Sequence, residues 1–250
     1  MLDLFKQSFQ ITKKNIIVLL GLSLTIGIIL FVTYSLQALL QNNSIMSFIA
    51  NFAFTLLRVF VSVALLKLCL ILIDNREPEF SDIKPNWNET LRYLMLNLLM
   101  TVIVMVVVML FAGFLGMLGL IRPGLMELYQ NMMMKPEELT KYTSNEILYA
   151  LMALLLLLLP AMLLMMRLQF ATYYIIDKKM DIAAALMRSL AITKGYLFYV
   201  VLVFLLIILL NIIGLLFAFV GLLFTIPMTM IIIAMLYKSL DENYVEVIKE

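Results

Sequence analysis

Charge in this chain is confined to short intervals separated by long uncharged stretches. No Asp, Glu, Lys or Arg occurs between Lys14 and Arg58 or between Lys194 and Lys238, two runs of 43 residues each. Arg92 to Arg122 encloses 29 uncharged positions, and Glu146 to Arg167 encloses 20. Inside these runs Leu, Ile, Val and Met follow one another without alternation, which excludes the strands of a transmembrane barrel. A helix crossing the hydrocarbon core needs about 20 apolar residues at about 1.5 Å rise each. The two long runs therefore each hold a helical hairpin, and the two shorter runs hold one helix each. The predicted spans are 16–40, 46–73, 93–120, 147–176, 196–218 and 221–240, within a single membrane domain over 1–250. The fold class is an all-α integral membrane protein with six transmembrane helices arranged as three hairpins.

The connecting segments alternate in charge. The N-terminal stretch carries Lys6, Lys13 and Lys14, the 74–92 segment Arg76, Lys84 and Arg92, and the 177–195 segment Lys178, Lys179, Arg188 and Lys194; the C-terminal tail carries Lys249. The intervening segments, a 41–45 turn, a 121–146 loop and a turn at Gly221, hold only Arg122, Lys135 and Lys141. Retention of Lys and Arg on the cytoplasmic side places both termini there. Each basic stretch before a hairpin also has the pattern of an interfacial amphipathic helix. In the first, Leu2, Phe5 and Phe9 share a face opposite the lysines. In the second, Ile83, Trp87, Leu91 and Leu94 recur, and in the third Ile182, Leu186 and Leu190. Phe5, Phe9, Trp87 and Lys194 are the expected interfacial anchors. The alternative is that each stretch simply extends the following span.

These stretches carry an internal repeat. Ser8-Phe9-Gln10-Ile11-Thr12-Lys13 matches Ser189-Leu190-Ala191-Ile192-Thr193-Lys194, and each precedes a 43-residue uncharged run. Ile73-Asp74 followed by Asp82-Ile83 is echoed by Ile176-Asp177 followed by Asp181-Ile182. Three pseudo-repeats follow, 1–74, 81–177 and 181–241, each a surface helix leading into two spans. All enter from one side, so their symmetry axis runs along the membrane normal, unlike the inverted repeats of many transporters.

Composition narrows the function classes. The chain is 64% apolar and 14% charged with a mean hydropathy of +1.07, against about 45–50% and about 25% for soluble domains, so it lacks the polar surface to face water throughout. A net charge of +2 gives no reason to expect nucleic acid. With one cysteine, Cys69, and no histidine, the commonest metal ligands, general base and proton relay are missing. No cofactor and no metal is expected. The 20 methionines, including Met132-Met133-Met134, are read as adaptable packing rather than a soft-metal site.

Over 155–243 the chain carries Arg167-Leu168-Gln169-Phe170-Ala171, Ile175-Ile176-Asp177, Ala185-Leu186-Met187-Arg188-Ser189-Leu190, Thr193-Lys194-Gly195-Tyr196, then Pro227 and Leu236-Tyr237. These residues resemble a bacterial membrane family that includes the membrane domain preceding some glycerophosphodiester phosphodiesterases, together with stand-alone six-helix proteins. The resemblance implies that fold and a place in the bacterial cytoplasmic (inner) membrane. It implies no activity, because the hydrolytic residues of such enzymes lie in a separate domain.

Among polar residues within spans, Arg58 is the most informative. A cation at mid-membrane costs about 2.5–3.5 kcal/mol on insertion scales, so it faces a bundle interior or an aqueous cavity. No acidic residue within a span is there to pair with it. Arg58, Asn97, Arg167 and Asn211 together form the candidate intramembrane site for an anion or a lipid headgroup. The competing reading is structural: Arg58, Arg167 and Lys67 snorkel to an interface, and Asn97 and Asn211 hydrogen-bond between helices. Gly113, Gly116 and Gly119 permit close helix approach, and Pro160 and Pro227 kink their spans. The leading function is a non-enzymatic inner-membrane component, an accessory subunit of a membrane complex or a factor handling lipids or membrane proteins. Its expected partners are the bilayer, other membrane subunits and anionic lipid, with no nucleic acid. The alternative is the permease subunit of an ABC-type exporter, with the 74–92 segment as its coupling helix. An intramembrane enzyme is not expected, for want of a nucleophile–base pair.

Overall fold

The structure, a computed structural model, describes residues 2–39, 44–118, 143–217 and 221–249, and every regular element among them is helical. In chain order these are α1 (Leu2–Lys14), α2 (Ile16–Leu39), α3 (Ser44–Ile73), α4 (Phe80–Ile83), α5 (Trp87–Met117), α6 (Ser144–Leu168), α7 (Ala171–Asp177), α8 (Ile182–Ile192), α9 (Leu197–Leu216) and α10 (Leu222–Lys249). Five stretches are long and apolar enough to cross a bilayer: Phe48–Ile73, Phe80–Met117, Asn145–Asp177, Leu197–Leu216 and Leu222–Glu246. Separate from these five, α2 is a helix of 24 residues without a charge. Length and composition are those of a multi-pass membrane protein. Most of the expected 121–146 loop with Met132–Met134, Gly119 and the first part of the 41–45 turn lie outside the described residues.

Local chemistry explains where the helices break. The expected surface helix through Ile83 and Trp87 is interrupted, because Pro85 drives the preceding Lys84 to an extended ψ of 121°. The helix restarts at Trp87 and runs without a break into the span. Between α6 and α7 the ladder tightens at Gln169-Phe170, where Thr172 N donates to Gln169 O at 3.3 Å and Tyr173 N to Phe170 O at 3.1 Å, the i→i−3 pattern of a 3₁₀ turn. The end of α3 is closed by Asn75 at a φ of 54°. Asn75 N bonds Leu72 O and Arg76 N bonds Ile71 O, both at 3.1 Å, a Schellman cap that satisfies two terminal carbonyls.

Two compact units result, one of Met1–Leu96 with Gln169–Glu250 and one of Asn97–Leu168. In the first, α10 is the central helix and packs on α1, α2, α3, α8 and α9, while α7 packs on α3 and α8. Val63, Leu68, Phe170, Tyr174, Ile231, Ile232, Leu236 and Tyr237 are fully buried. Lipid tails are as apolar as these side chains, so association in a bilayer rests on close packing and interhelical polar contacts. Both are present between α9 and α10. Asn211 Nδ2 donates to Thr229 Oγ1 and to Ile207 O, each at 3.0 Å, and Thr229 Oγ1 donates to Thr225 O at 2.8 Å. Gly214 and Gly221 bring the two backbones into contact one turn away.

The face that α1 buries differs from the Leu2–Phe5–Phe9 face. Leu4, Ser8 and Thr12 are 8%, 0% and 1% exposed, whereas Phe9 is 45% exposed and meets Phe224 edge-on at 5.6 Å. Ser8 Oγ lies 3.2 Å from Met235 Sδ on α10. Small hydroxyl residues let α1 approach α10 closely, and each hydroxyl is satisfied within the helix, Ser8 on Leu4 O and Thr12 on Ser8 O. Thr193 on Ser189 O at 2.9 Å and Thr90 on Asn86 O at 3.0 Å repeat the arrangement, and both threonines are buried.

The second unit contains α5 from Asn97 onward and α6. Here few side chains are buried, Met100, Leu115, Ala150, Ala161 and Leu168 among them. Met105, Met109, Leu110 and Phe114 on α5 and Leu148, Met152, Leu155 and Met162 on α6 are all exposed. Only 11% of the most apolar window of Phe80–Met117, and of Asn145–Asp177, is buried, against 44% for Phe48–Ile73 and Leu222–Glu246.

Candidate functional site

The polar residues of the first unit gather where α10 leaves its apolar stretch. Tyr237, Asp241 and Tyr244 follow at i, i+4 and i+7 and so share one face of α10. Tyr237 donates its hydroxyl to Asp177 Oδ2 at 3.0 Å, at the end of α7. Its ring stacks on Tyr173 at 5.1 Å and meets Tyr174 edge-on at 5.0 Å, both favourable ring arrangements. Tyr174 donates to Asp241 Oδ1 at 2.6 Å, and Arg188 Nη2 of α8 reaches the same oxygen at 3.2 Å. The Arg188 guanidinium also lies 4.1 Å from the centre of the Tyr244 ring, a cation–π contact. Lys238 pairs with Asp74 beyond the end of α3, and Arg76 Nη2 meets the second oxygen of that carboxylate at 3.0 Å.

Electrostatically this is a clasp of matched charges. Partial burial pushes the Asp74 carboxyl up, but Lys238 and Arg76 more than offset this and hold it below the ordinary carboxylate range. Hydrogen bonds to ionised partners contribute about 1.5–3 kcal/mol each when buried, and less at partly exposed pairs such as these. One segment of α10 thereby fastens α3, α7 and α8.

A second polar centre joins α3 to the start of α5. Lys67 Nζ stands 2.6 Å from Glu89 Oε2, with side chains 17% and 15% exposed, and 3.2 Å from Lys84 O. Lys67 is thus held by a carboxylate rather than simply extended toward an interface. Beside it opens a groove of about 210 Å³ between α3, α4 and the end of α7. A wider one of about 420 Å³ lies between α1, the end of α3 and Met235.

The four residues of the expected intramembrane site are distributed over both units. Arg58 is half-buried on α3 and Asn211 half-buried on α9 in the first unit; Asn97 and Arg167 are half-buried in the second. Of the expected anchors, Phe9 and Trp87 are exposed at 45% and 57%, Lys194 is exposed and Phe5 half-buried. Asp177 was legible in the internal repeat and Arg188 in the basic 177–195 segment, Tyr237 only as part of a family-like motif, and Asp241 and Tyr244 carried no signal beyond their helical spacing. Chemically the clasp offers no nucleophile beside a general base: its carboxylates accept from hydroxyls, ammonium and guanidinium groups already in place. No group of three His, Cys, Asp or Glu that could hold a metal occurs among the described residues. Comparison with protein-family models, with curated proteins and with solved structures finds no match to this chain.

Proposed function

We propose that this protein is a non-enzymatic accessory subunit of a bacterial inner-membrane complex, with six spans in three hairpins and both termini in the cytoplasm. The single observation that carries the reading is the contrast between the two units. The first is fastened by interhelical polar contacts, whereas the helices of the second bury only 11% of their most apolar windows and expose Met105, Met109, Met152 and Met162. Methionine is flexible and polarisable and suits an adaptable helix-binding face. The three-hairpin reading is supported by the shared chemistry of Thr12, Thr90 and Thr193: each is buried, and each bonds the carbonyl four residues back.

A photo-crosslinking residue at Met105 or Met152, activated in native membranes, tests the reading. Both positions should capture the same membrane protein; lipid adducts alone at both positions would overturn it. The permease alternative keeps one observation in its favour: α4 buries none of its residues and Phe80 is 84% exposed, as a docking element for an ATPase would be. Co-purification of an ATPase that is lost on Phe80→Ser would establish that reading instead.

A further inference from the structure

We infer that the groove between α3, α4 and the end of α7 binds the headgroup of phosphatidylethanolamine, an inference independent of the subunit reading. The floor of the groove is apolar, made by Leu70, Ile71 and Ile176, and its rim carries Lys67, Arg76, Asp82 and Asp177. Lys67 stands six residues before Ile73, where the apolar stretch of α3 ends, or about 9 Å at the helical rise. The groove therefore begins just inside the end of a span and opens at its charged border, the depth of a lipid headgroup.

Each rim group retains hydrogen-bonding capacity. The Lys67 ammonium has three N–H donors and directs them to Glu89 at 2.6 Å and Lys84 O at 3.2 Å, leaving a third. Arg76 has five donors and is seen to spend one on Asp74 at 3.0 Å. Asp177 receives Tyr237 and Lys178 on Oδ2, which leaves Oδ1 as an acceptor. Asp82 makes no ion pair among the described residues and is exposed on α4. Two cationic groups suit a phosphodiester, and two carboxylates suit a primary ammonium. The four rim charges sum to zero, so a neutral zwitterion fits better than an anionic headgroup. A trimethylammonium has no N–H to offer the carboxylates, so phosphatidylcholine forfeits half of these contacts.

The test is native mass spectrometry of the full chain released from bilayers of equal phosphatidylethanolamine, phosphatidylglycerol and phosphatidylcholine. The expected result is retention of phosphatidylethanolamine over each of the others by about fivefold, the scale of one partly exposed charge-assisted contact. Asp82→Asn and Arg76→Gln should each bring that ratio toward one. Continued protection of the buried thiol of Cys69 would show that either variant remains folded. Equal retention of the three lipids, preference for phosphatidylglycerol, or an unchanged ratio in both variants would overturn the inference. Soluble glycerophosphoethanolamine competing as strongly as the lipid would also overturn it, by assigning the groove to a water-soluble zwitterion.

Discussion

Gly214 and Gly221 leave no room for a methyl group between α9 and α10. A Cβ on Gly221 would stand 2.8 Å from Gly214 Cα, and one on Gly214 would stand 2.5 Å from Thr225 Oγ1 and 3.2 Å from the Gly221 carbonyl carbon. Gly221→Ala pushes backbone against backbone and should cost about 1–3 kcal/mol, the scale of an overpacked core. Gly214→Ala meets chiefly a side chain, so Thr225→Ala in the same chain should recover part of the loss. Cys69 is the only cysteine and is 1% exposed, so maleimide labelling in detergent on heating reports opening of the first unit. A Gly221→Ala protein labelled no earlier than wild type would show that the contact does not hold the hairpin.

The Tyr174–Asp241 hydrogen bond, at 2.6 Å, should be energetically coupled. Tyr174→Phe is expected to cost about 1.5 kcal/mol, the low end for a bond to a charged group because the pair is only partly buried. Asp241→Asn costs more, because Arg188 also loses its carboxylate. A double-mutant cycle of the two should return a coupling of about 1 kcal/mol; additivity within error would contradict the clasp.

Tyr237 separates ring from hydroxyl. Tyr237→Phe keeps the stacking on Tyr173 and loses only the Asp177 bond, whereas Tyr237→Ala also empties a fully buried site. The expected costs are about 1–2 kcal/mol and about 3–5 kcal/mol. Thermal unfolding of the two variants side by side checks the order.

Asp74 gives the clasp an acid limit. Its carboxyl is held below its ordinary range in the folded chain, so its stabilising contribution is complete above the unfolded value of about 3.9 and is lost as pH falls through the lower folded value. Between about pH 5 and pH 8 this contribution is flat. Asp74→Asn should lower the unfolding midpoint near neutral pH, and the variant and wild-type curves should converge as pH falls below about 4. Parallel curves down to the lowest pH would assign the acid sensitivity to other carboxylates.

Lys67 and Glu89 should be costly to break and cheap to replace. Glu89→Gln leaves an ammonium that is 17% exposed with only neutral acceptors, the Gln side-chain oxygen and the Lys84 carbonyl, and no counter-charge. About 1–3 kcal/mol is expected, short of the full cost at a completely buried pair, and the combined Lys67→Met and Glu89→Leu should recover most of it. A double variant no more stable than Glu89→Gln alone would show that the pair is worth more than an apolar contact there.

The sequence by itself determined the helices. In a bilayer every backbone donor and acceptor must be satisfied locally, so a charge-free run of sufficient length specifies a helix wherever it packs. That is why 16–40 and 46–73 agree with Ile16–Leu39 and Ser44–Ile73 to within about two residues, and why 196–218 agrees with Leu197–Leu216. Tertiary structure decided which faces those helices bury and which polar groups meet. The apolar pattern of α1 pointed to Phe5 and Phe9, yet close packing against α10 selected Leu4, Ser8 and Thr12, because small residues admit the nearer backbone. Asp74 lies 164 positions from Lys238 and Tyr174 lies 67 from Asp241, separations at which no periodicity in the chain announces a partner. Lys67, read from sequence as a snorkelling cation, is paired with Glu89, which lies beyond the Pro85 break at the start of α5. Spans follow from a local requirement of the backbone; the clasp and the groove follow from long-range juxtaposition, which only the folded chain supplies.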